Sequence, residues 1–587
     1  MMVASLLLLI GCKGDISSTS ALPAADVDPV AHDDGGVWNA PTPAPGDCSG
    51  CLEQKVGIGG TGFDTASNDS EFVSTDSDGA LVIDMKHSKL SRYLWVADTN
   101  LPGVAKIDLT TLQIVARYRT GGSSTSRTTV NALGEAFIGA RTSGNGKYGV
   151  TKILPDPKTC PDKNNDGVVT TSKGPDDVLA WGQDECVAWH VETEGDIRGL
   201  AAQDIPGLNH EEICKDFQGN KEFDPKQITA EDEHYVWVGG LHGKVYKIDA
   251  ETGAILLKID APLQVYGMAL SGDGKLWLGA GGGGFGFIDI DKCTDQATCD
   301  ATTVCTQTCN TTTCPATCDN AVKAAYSGML NGYGITVDYK KRVWRSGYPT
   351  AGTMRYDPYA PADQRLAMSP VPSYGGGIAA DANGFVWAAH LSGHLVRIDA
   401  DSLAGVTIAA PSKGVAVDAQ GRVFAVQYEG IVHMVEPGKT LNDNKLTLNA
   451  VPLKGIAYAY SDMTGIQTRL ASGEPGWYRG VFSPCLLQET PDWQLLKWDV
   501  DAPTGTWVMF NVRTADTAEA LKTAPWSTVA CISPPGGKGQ ATITALKGRL
   551  VEAEVRFIAA GDLNDPATVK SARIKSFSVL YRCLKVD

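Results

Sequence analysis

"GYGITVDYKKRVWRSG", residues 332–347, decides the fold. An apolar alternating strand from Gly334 to Asp338 meets a polar turn, and a second strand carries Trp344, which together read as a β-hairpin. Its recurrence is what matters. Gly334 precedes Trp344 by ten residues, and the same spacing separates Gly267 from Trp277, Gly377 from Trp387 and Gly414 from Phe424. Roughly twelve residues beyond the aromatic, a strand ends in an acid: "VAKID" at Asp108, "VYKID" at Asp249, "FGFID" at Asp289 and "LVRID" at Asp399. Trp95, Phe137 and Trp237 occupy equivalent aromatic positions, which makes seven units, evenly spaced where no insertion intervenes.

That period has a physical meaning. Three or four short strands form a small sheet that cannot bury both faces alone, so copies must stack around an axis. Glycine supplies the turns and lets strands crowd near that axis. The reading is all-β: a seven-bladed β-propeller over 70–469, with a strand at 454–460 helping to close the ring. From 470 to 587 the segments "QLLKWDV", "WVMFNVRTAD", "LVEAEVRFIAA" and "IKSFSVLYRC" alternate apolar and polar residues between Pro/Gly turns, which reads as an antiparallel β-sandwich. This part resembles the jelly-roll modules of bacterial surface proteins.

The repeated "G-[IMV]-[AT]-x-D…G-x-[VL]-[WF]" units resemble those of streptogramin B (virginiamycin B) lyase and NHL-type propellers, over about two-thirds of the chain. The lyases open a cyclic depsipeptide by elimination, with magnesium and a His/Glu cluster at one mouth of the ring. Many of their repeats carry His directly before the glycine. The matching positions here are Arg198, Tyr266, Tyr333, Gly376, Lys413 and Lys454, with no His or Glu among them. His234 and His242 flank one hairpin, and His390 and His394 face each other across a turn, with no Glu at a fixed offset. Proton abstraction of the lyase kind therefore has no evident agent. Three cations and two tyrosines at a channel mouth instead suit an anionic or sugar-like ligand. The expectation is a non-catalytic binder of a glycan, anionic small molecule or envelope protein. A lyase with an unrecognised site and a purely structural envelope component are the alternatives.

The chain has 587 residues, too many for one ordinary core, and a net charge of −16, which opposes a nucleic-acid partner. Its N-terminus reads "MMVASLLLLIGCKGD", with an apolar run far short of a membrane span. Leu9-Ile10-Gly11-Cys12 resembles a bacterial lipobox, which implies a signal peptide over 1–12, acylation of Cys12 and membrane anchoring through that lipid. Lys13 after the cysteine points to the outer membrane or cell surface. Residues 13–69 read as a Pro/Ala/Asp/Ser-rich tether and lead-in. Export explains the cysteines, which belong in disulfides.

Two insertions interrupt the repeat. In 156–190, Asp162, Asn164, Asp166 and Gly167 follow the order of a calcium loop, with the Val168 carbonyl and Thr170 next in line. Position twelve is Lys173, so either Asp176 or Asp177 folds back to supply the missing acid or the affinity is poor, with Cys160–Cys186 closing the base. The implied cofactor is a structural calcium ion. In 291–325, Cys293, Cys299, Cys305, Cys309, Cys314 and Cys318 lack metal-site spacing and read as three disulfides of unspecified pairing, on a loop projecting from the propeller. Cys485 and Cys583 are placed to clamp the sandwich, which leaves Cys531 free or paired with Cys214.

Overall fold

The aromatic of each repeat sits in the second strand of its own sheet, except Trp95, which lies in the first strand of a three-stranded sheet, and the sheets ring an axis. In the computed structural model, described for residues 48–585 apart from 66–69, 85–91, 101–102, 143–147, 206–232, 329–330, 454, 469–475, 487 and 559–569, seven antiparallel sheets form the propeller. Blade 1 has three strands, Tyr93–Asp98, Gly103–Asp108 and Gln113–Arg119. Blade 2 runs from Ser123–Val130 to Val187–Thr193 and blade 3 from Gly199–Ile205 to Ile255–Asp260. Blade 4 opens with Gly267–Ser271, blade 5 with Gly332–Val337, blade 6 with Gly375–Ala380 and blade 7 with Gly414–Val417. Trp95, Trp237, Trp277, Trp344 and Trp387 are all at most 1% exposed and fill the wedges between blades. Trp277, for example, packs with Tyr356 of blade 5 at a centroid distance of 5.9 Å.

The acids of the repeat are turn-formers. Asp338 accepts from the Lys340 and Arg342 amides, and its other oxygen takes Arg342 Nε at 2.7 Å and Trp344 Nε1 at 2.8 Å. Asp381 repeats the pattern with Asn383, Phe385 and Trp387. The acids that end the third strands do the same one turn later: Asp108 accepts from Thr110 and Thr111, and Asp399 from Asp401 and Ser402. Each carboxylate replaces water for backbone donors that a tight turn would strand. The signature thus encodes turns and carries no information about chemistry.

Ring closure uses the chain in an irregular conformation. Blade 1 lacks an innermost strand, and the segment after blade 7 lies beside Tyr93–Asp98: Thr99 N donates to Ile456 O at 2.8 Å and Trp95 N to Met463 O at 2.9 Å. The segment then plugs the axial channel. Thr128 N donates to Ser461 Oγ at 2.8 Å, Thr464 Oγ1 to Val417 O at 2.6 Å and Gln467 Nε2 to Ala380 O at 3.2 Å. Glycines make room for it. A Cβ on Gly414 would stand 1.9 Å from Ala459 O, and one on Gly377 would meet Tyr460 Cβ at 2.8 Å.

The sandwich starts earlier than expected. Its six-stranded sheet contains Leu52–Gly57, Val73–Thr75 and Leu81–Ile83 beside the C-terminal strands Glu489–Asp501, Gly536–Thr542 and Arg573–Lys585. Ser70–Glu71 joins the facing five-stranded sheet. Residues 52–83 therefore correct both the tether boundary at 69 and the propeller start at 70. Leu52–Gly57 is a short edge strand, too charged to show as a strand in the sequence, and its partner is the last strand of the chain. The inner faces meet in one core around Trp493, Leu496, Phe510, Val555 and Phe577. Cys485–Cys583 bridges it, as anticipated. No described helix is long and apolar enough to cross a membrane. Cys12, the tether over 13–47, Lys454 and Cys214 lie outside the described residues.

Candidate ligand-binding site at the propeller hub

The residue before or at the start of each innermost strand faces one mouth of the ring. The fold brings Arg198, Tyr266, Tyr333 and Lys413 together there, from blades 3, 4, 5 and 7. Gly376 lies beside them, packed so tightly that a Cβ would touch Ala389 Cβ at 2.4 Å. Four residues that the sequence reading did not single out complete the cluster. Arg127 and Arg141 come from blade 2, and Tyr458 and Tyr460 from the returning segment that caps the channel.

The rings pack edge to face or tilted. Tyr266 lies 5.0 Å from Tyr333, Tyr333 4.8 Å from Tyr460, and Tyr458 5.3 Å from Tyr460. Three cations stand over them: Arg127 at 3.1 Å from the Tyr460 centroid, Lys413 at 3.9 Å from Tyr333 and Arg141 at 4.1 Å from Tyr458. Arg127 is 1% exposed and donates only to oxygens of neutral groups, among them Arg198 O at 2.6 Å and Tyr266 O at 3.3 Å. Lys413 is 4% exposed and donates to Tyr333 Oη at 2.7 Å and Gly375 O at 2.6 Å. Arg141 holds the Ser124 hydroxyl at 2.7 Å. Among the described residues none of the three meets a carboxylate, whereas Arg198 is paired with Asp196 at 2.6 Å.

Burial without a counter-charge penalises each cation. It lowers the Lys413 ammonium to about 7, helped by the charges of Arg127 and Arg141. It lowers Arg127 to about 9. A hydroxyl chain runs from Lys413 through Tyr333 Oη to Tyr458 Oη, and on to Tyr266 Oη at 3.3 Å. Burial raises Tyr333 and Tyr458 above the usual phenol range. Burial would raise Tyr266 too, but the Arg127 charge and the hydroxyls of Tyr333 and Tyr458 outweigh it, and the net direction is down.

No protein-family model matches the chain, and no curated protein does. Solved structures similar to it are matched at low identity. One is described as a functionally unknown protein from Desulfotomaculum acetoxidans, with 10% identity, 63% of this chain and 100% of that chain covered, and a TM-score of 0.38. A streptogramin B lyase structure shows 13% identity over 68% of this chain and 98% of its own, with a TM-score of 0.33. Apo AztD from Citrobacter koseri shows 11% identity over 63% and 96%, with a TM-score of 0.36.

Four of the described histidines pack into the scaffold. His234 Nδ1 pairs with Asp204 at 2.6 Å, and His433 bridges Gln427 Oε1 and the Asn449 amide, both at 3.0 Å. His390 and His394 are cross-strand partners with rings stacked 3.9 Å apart. Among the described residues, the His, Cys, Asp and Glu groups whose donor atoms gather within 4.8 Å are Cys485, Glu489 and Cys583, and those cysteines are bonded to each other.

The insertion over 156–190 has the hydrogen bonds its sequence demands. Asp162 accepts from the Asp166 and Gly167 amides at 3.2 and 2.8 Å, Asn164 from Asp166 at 2.9 Å, and Asp166 from Val168 at 2.9 Å. The acid that reaches this loop is Glu185. It accepts from Lys163 at 2.7 Å, Asn164 at 3.2 Å and Thr170 at 2.6 Å. Asp177 instead makes a backbone bridge to Lys173, and Asp176 stands beside it in sequence. Cys160–Cys186 holds Glu185, its neighbour in sequence, at the base of the loop.

The cysteine-rich insertion also departs from expectation. Cys293–Cys299, Cys305–Cys318 and Cys309–Cys314 form its three disulfides. Cys305–Thr308 adds a parallel fifth strand to the outer edge of blade 4. Cys309, Cys314 and Cys318 are buried against Phe285, Tyr326 and Tyr356, so the segment covers core and does not simply project. Cys48 pairs with Cys51, and Cys531 is disulfide-bonded, which removes the free-thiol option.

Proposed function

We propose that the protein is a lipid-anchored component of a bacterial envelope whose propeller recognises a carboxylate-bearing or sulfated glycan at the hub. One observation carries this reading: Arg127, Arg141 and Lys413 gather at one mouth with no carboxylate partner among the described residues. A buried cation without a counter-charge costs several kcal/mol, and an arriving anion offsets that cost. The tyrosines supply flat amphipathic faces of the kind that pack on sugar rings, and Tyr348 and Tyr428, 40% and 39% exposed, extend those faces outward. Anchoring at Cys12 and a structural calcium held by Asp162, Asn164, Asp166, Val168, Thr170 and Glu185 belong to the same proposal. Capture on an array of uronic-acid, sulfated and neutral glycans tests it. Acidic glycans should be held preferentially, and an Arg141→Met, Lys413→Met double variant should lose them. Equal capture of neutral glycans, or unchanged capture by the variant, overturns the reading.

A further inference from the structure

The aromatic rings of the hub continue beyond it. Gly332 pairs with Gly347, and Gly375 with His390, so the residues beside these pairs share one end of blades 5 and 6 with the hub. Tyr348 and Tyr374 stand there, and His394 pairs with His390 at the start of the third strand of blade 6. The Tyr348 ring lies 5.5 Å from Tyr333, the Tyr374 ring 5.5 Å from Tyr348 and the His390 ring 5.7 Å from Tyr374, with His394 stacked beyond it. The series thus steps from an innermost strand to a third strand, away from the axis. Core packing does not call for it. The wedge tryptophans are at most 1% exposed, whereas Tyr348 is 40% exposed, and Tyr374, His390 and His394 are half-buried. Leu391, 42% exposed, flanks the series, its amide held by Tyr374 O at 3.0 Å. The Ser392 amide donates to His390 Nδ1 at 3.2 Å, so the neutral imidazole keeps its proton on Nε2.

We propose that this ring series is a run of subsites for the sugars that follow the acidic residue at the hub, so that the ligand is a polysaccharide held along its length and not a single terminal sugar. This rests on the acidic-glycan reading above and names the form of the ligand. The plug fills the channel beneath the hub, with Ser461 and Thr464 bonded to Thr128 and Val417. A chain longer than the hub can hold must therefore leave sideways across the mouth, and the rings line one such path. Their 5.5–5.7 Å steps are comparable with the size of a single sugar ring. Tyrosine faces pack on the C–H faces of sugars, Leu391 adds apolar cover, and the His390 Nε2 proton suits a sugar hydroxyl. Burial holds both imidazoles below their usual range, and the His394 charge adds to this at His390, which agrees with neutral rings. The two parts of the mouth then divide the work: the hub selects for charge and the run for length.

The test titrates the full chain with galacturonate trisaccharide and octasaccharide by calorimetry. Each aromatic face contributes about two- to tenfold in affinity, so the octasaccharide should bind about 30-fold or more tighter, beyond what the extra binding frames of a longer chain supply. A Tyr374→Ala, His390→Ala double variant should lose most of that gain and keep trisaccharide affinity within about twofold, which also reports an intact hub. Leu391→Glu, at an exposed turn position that folding tolerates, should do the same by repelling the chain. An octasaccharide no tighter than the trisaccharide, or a length gain that survives in both variants, overturns the run and leaves the hub reading standing. Failure of both lengths to bind the wild type overturns both.

Discussion

Lys413→Met gives the sharpest test of the hub. The wild-type amine falls from 10.5 to about 7 on folding because burial disfavours its charge. The unfolded chain therefore binds more protons than the native one between those values, so stability rises with pH across that window. Below about pH 7 the penalty is fully present, and above the unfolded value it is gone. At pH 6 it amounts to about 5 kcal/mol, and at pH 9 to about 2 kcal/mol. Methionine removes the titration and also two hydrogen bonds, to Tyr333 Oη and Gly375 O, at about 1–3 kcal/mol each. That second cost does not depend on Lys413 ionisation. The variant's advantage over wild type should thus shrink by about 3 kcal/mol between pH 6 and pH 9. Guanidinium unfolding, followed by tryptophan fluorescence at both pH values, measures it. A difference that does not change with pH would mean that the amine is hydrated, and the account of an uncompensated cation fails.

Gly414→Ala should displace the channel plug, since its Cβ would lie 1.9 Å from Ala459 O, a backbone atom. A loss of about 1–3 kcal/mol is expected in thermal unfolding, against a change within about 0.5 kcal/mol for Gly282→Ala, whose Cβ meets nothing within 4 Å. Calcium should raise the melting temperature of the wild type, and Asp166→Ala should abolish the rise in the same titration. Glu185→Gln should weaken calcium binding in calorimetry, whereas Asp177→Asn should leave it unchanged.

Blade number and blade phase were legible because each repeat carries its own punctuation. The ten-residue glycine-to-aromatic spacing is one hairpin, and the acids mark its turns. Leu52–Gly57 was not legible, since "LEQKVG" has no strand pattern of its own and gains its place only from Leu52↔Tyr581 pairing. At the hub, alignment on the repeat picked out Arg198, Tyr266, Tyr333 and Lys413. It missed Arg127, which lies mid-strand in "SSTSRTTV", and Arg141, at the far end of a second strand. Tyr458 and Tyr460 were visible in "KGIAYAY" as a closing strand, but their alternation put no ring in the mouth until the segment's irregular path was known. Looking for imidazole and carboxylate also hid the amine–phenol chain, whose members are far apart in sequence. Glu185 was missed for a similar reason: a disulfide, not loop spacing, delivers it.

The strand from 52 to 57 has a consequence for how the molecule comes into being. Because it waits for 573–585, the sandwich is a clasp whose two halves lie on either side of the whole propeller in the sequence. A cut anywhere in the ring would leave both fragments gripping the same sheet, while removal of Arg573–Lys585 would undo a module begun near the start of the chain. The ring can assemble on its own schedule; the clasp shuts only once Arg573–Lys585 has been made.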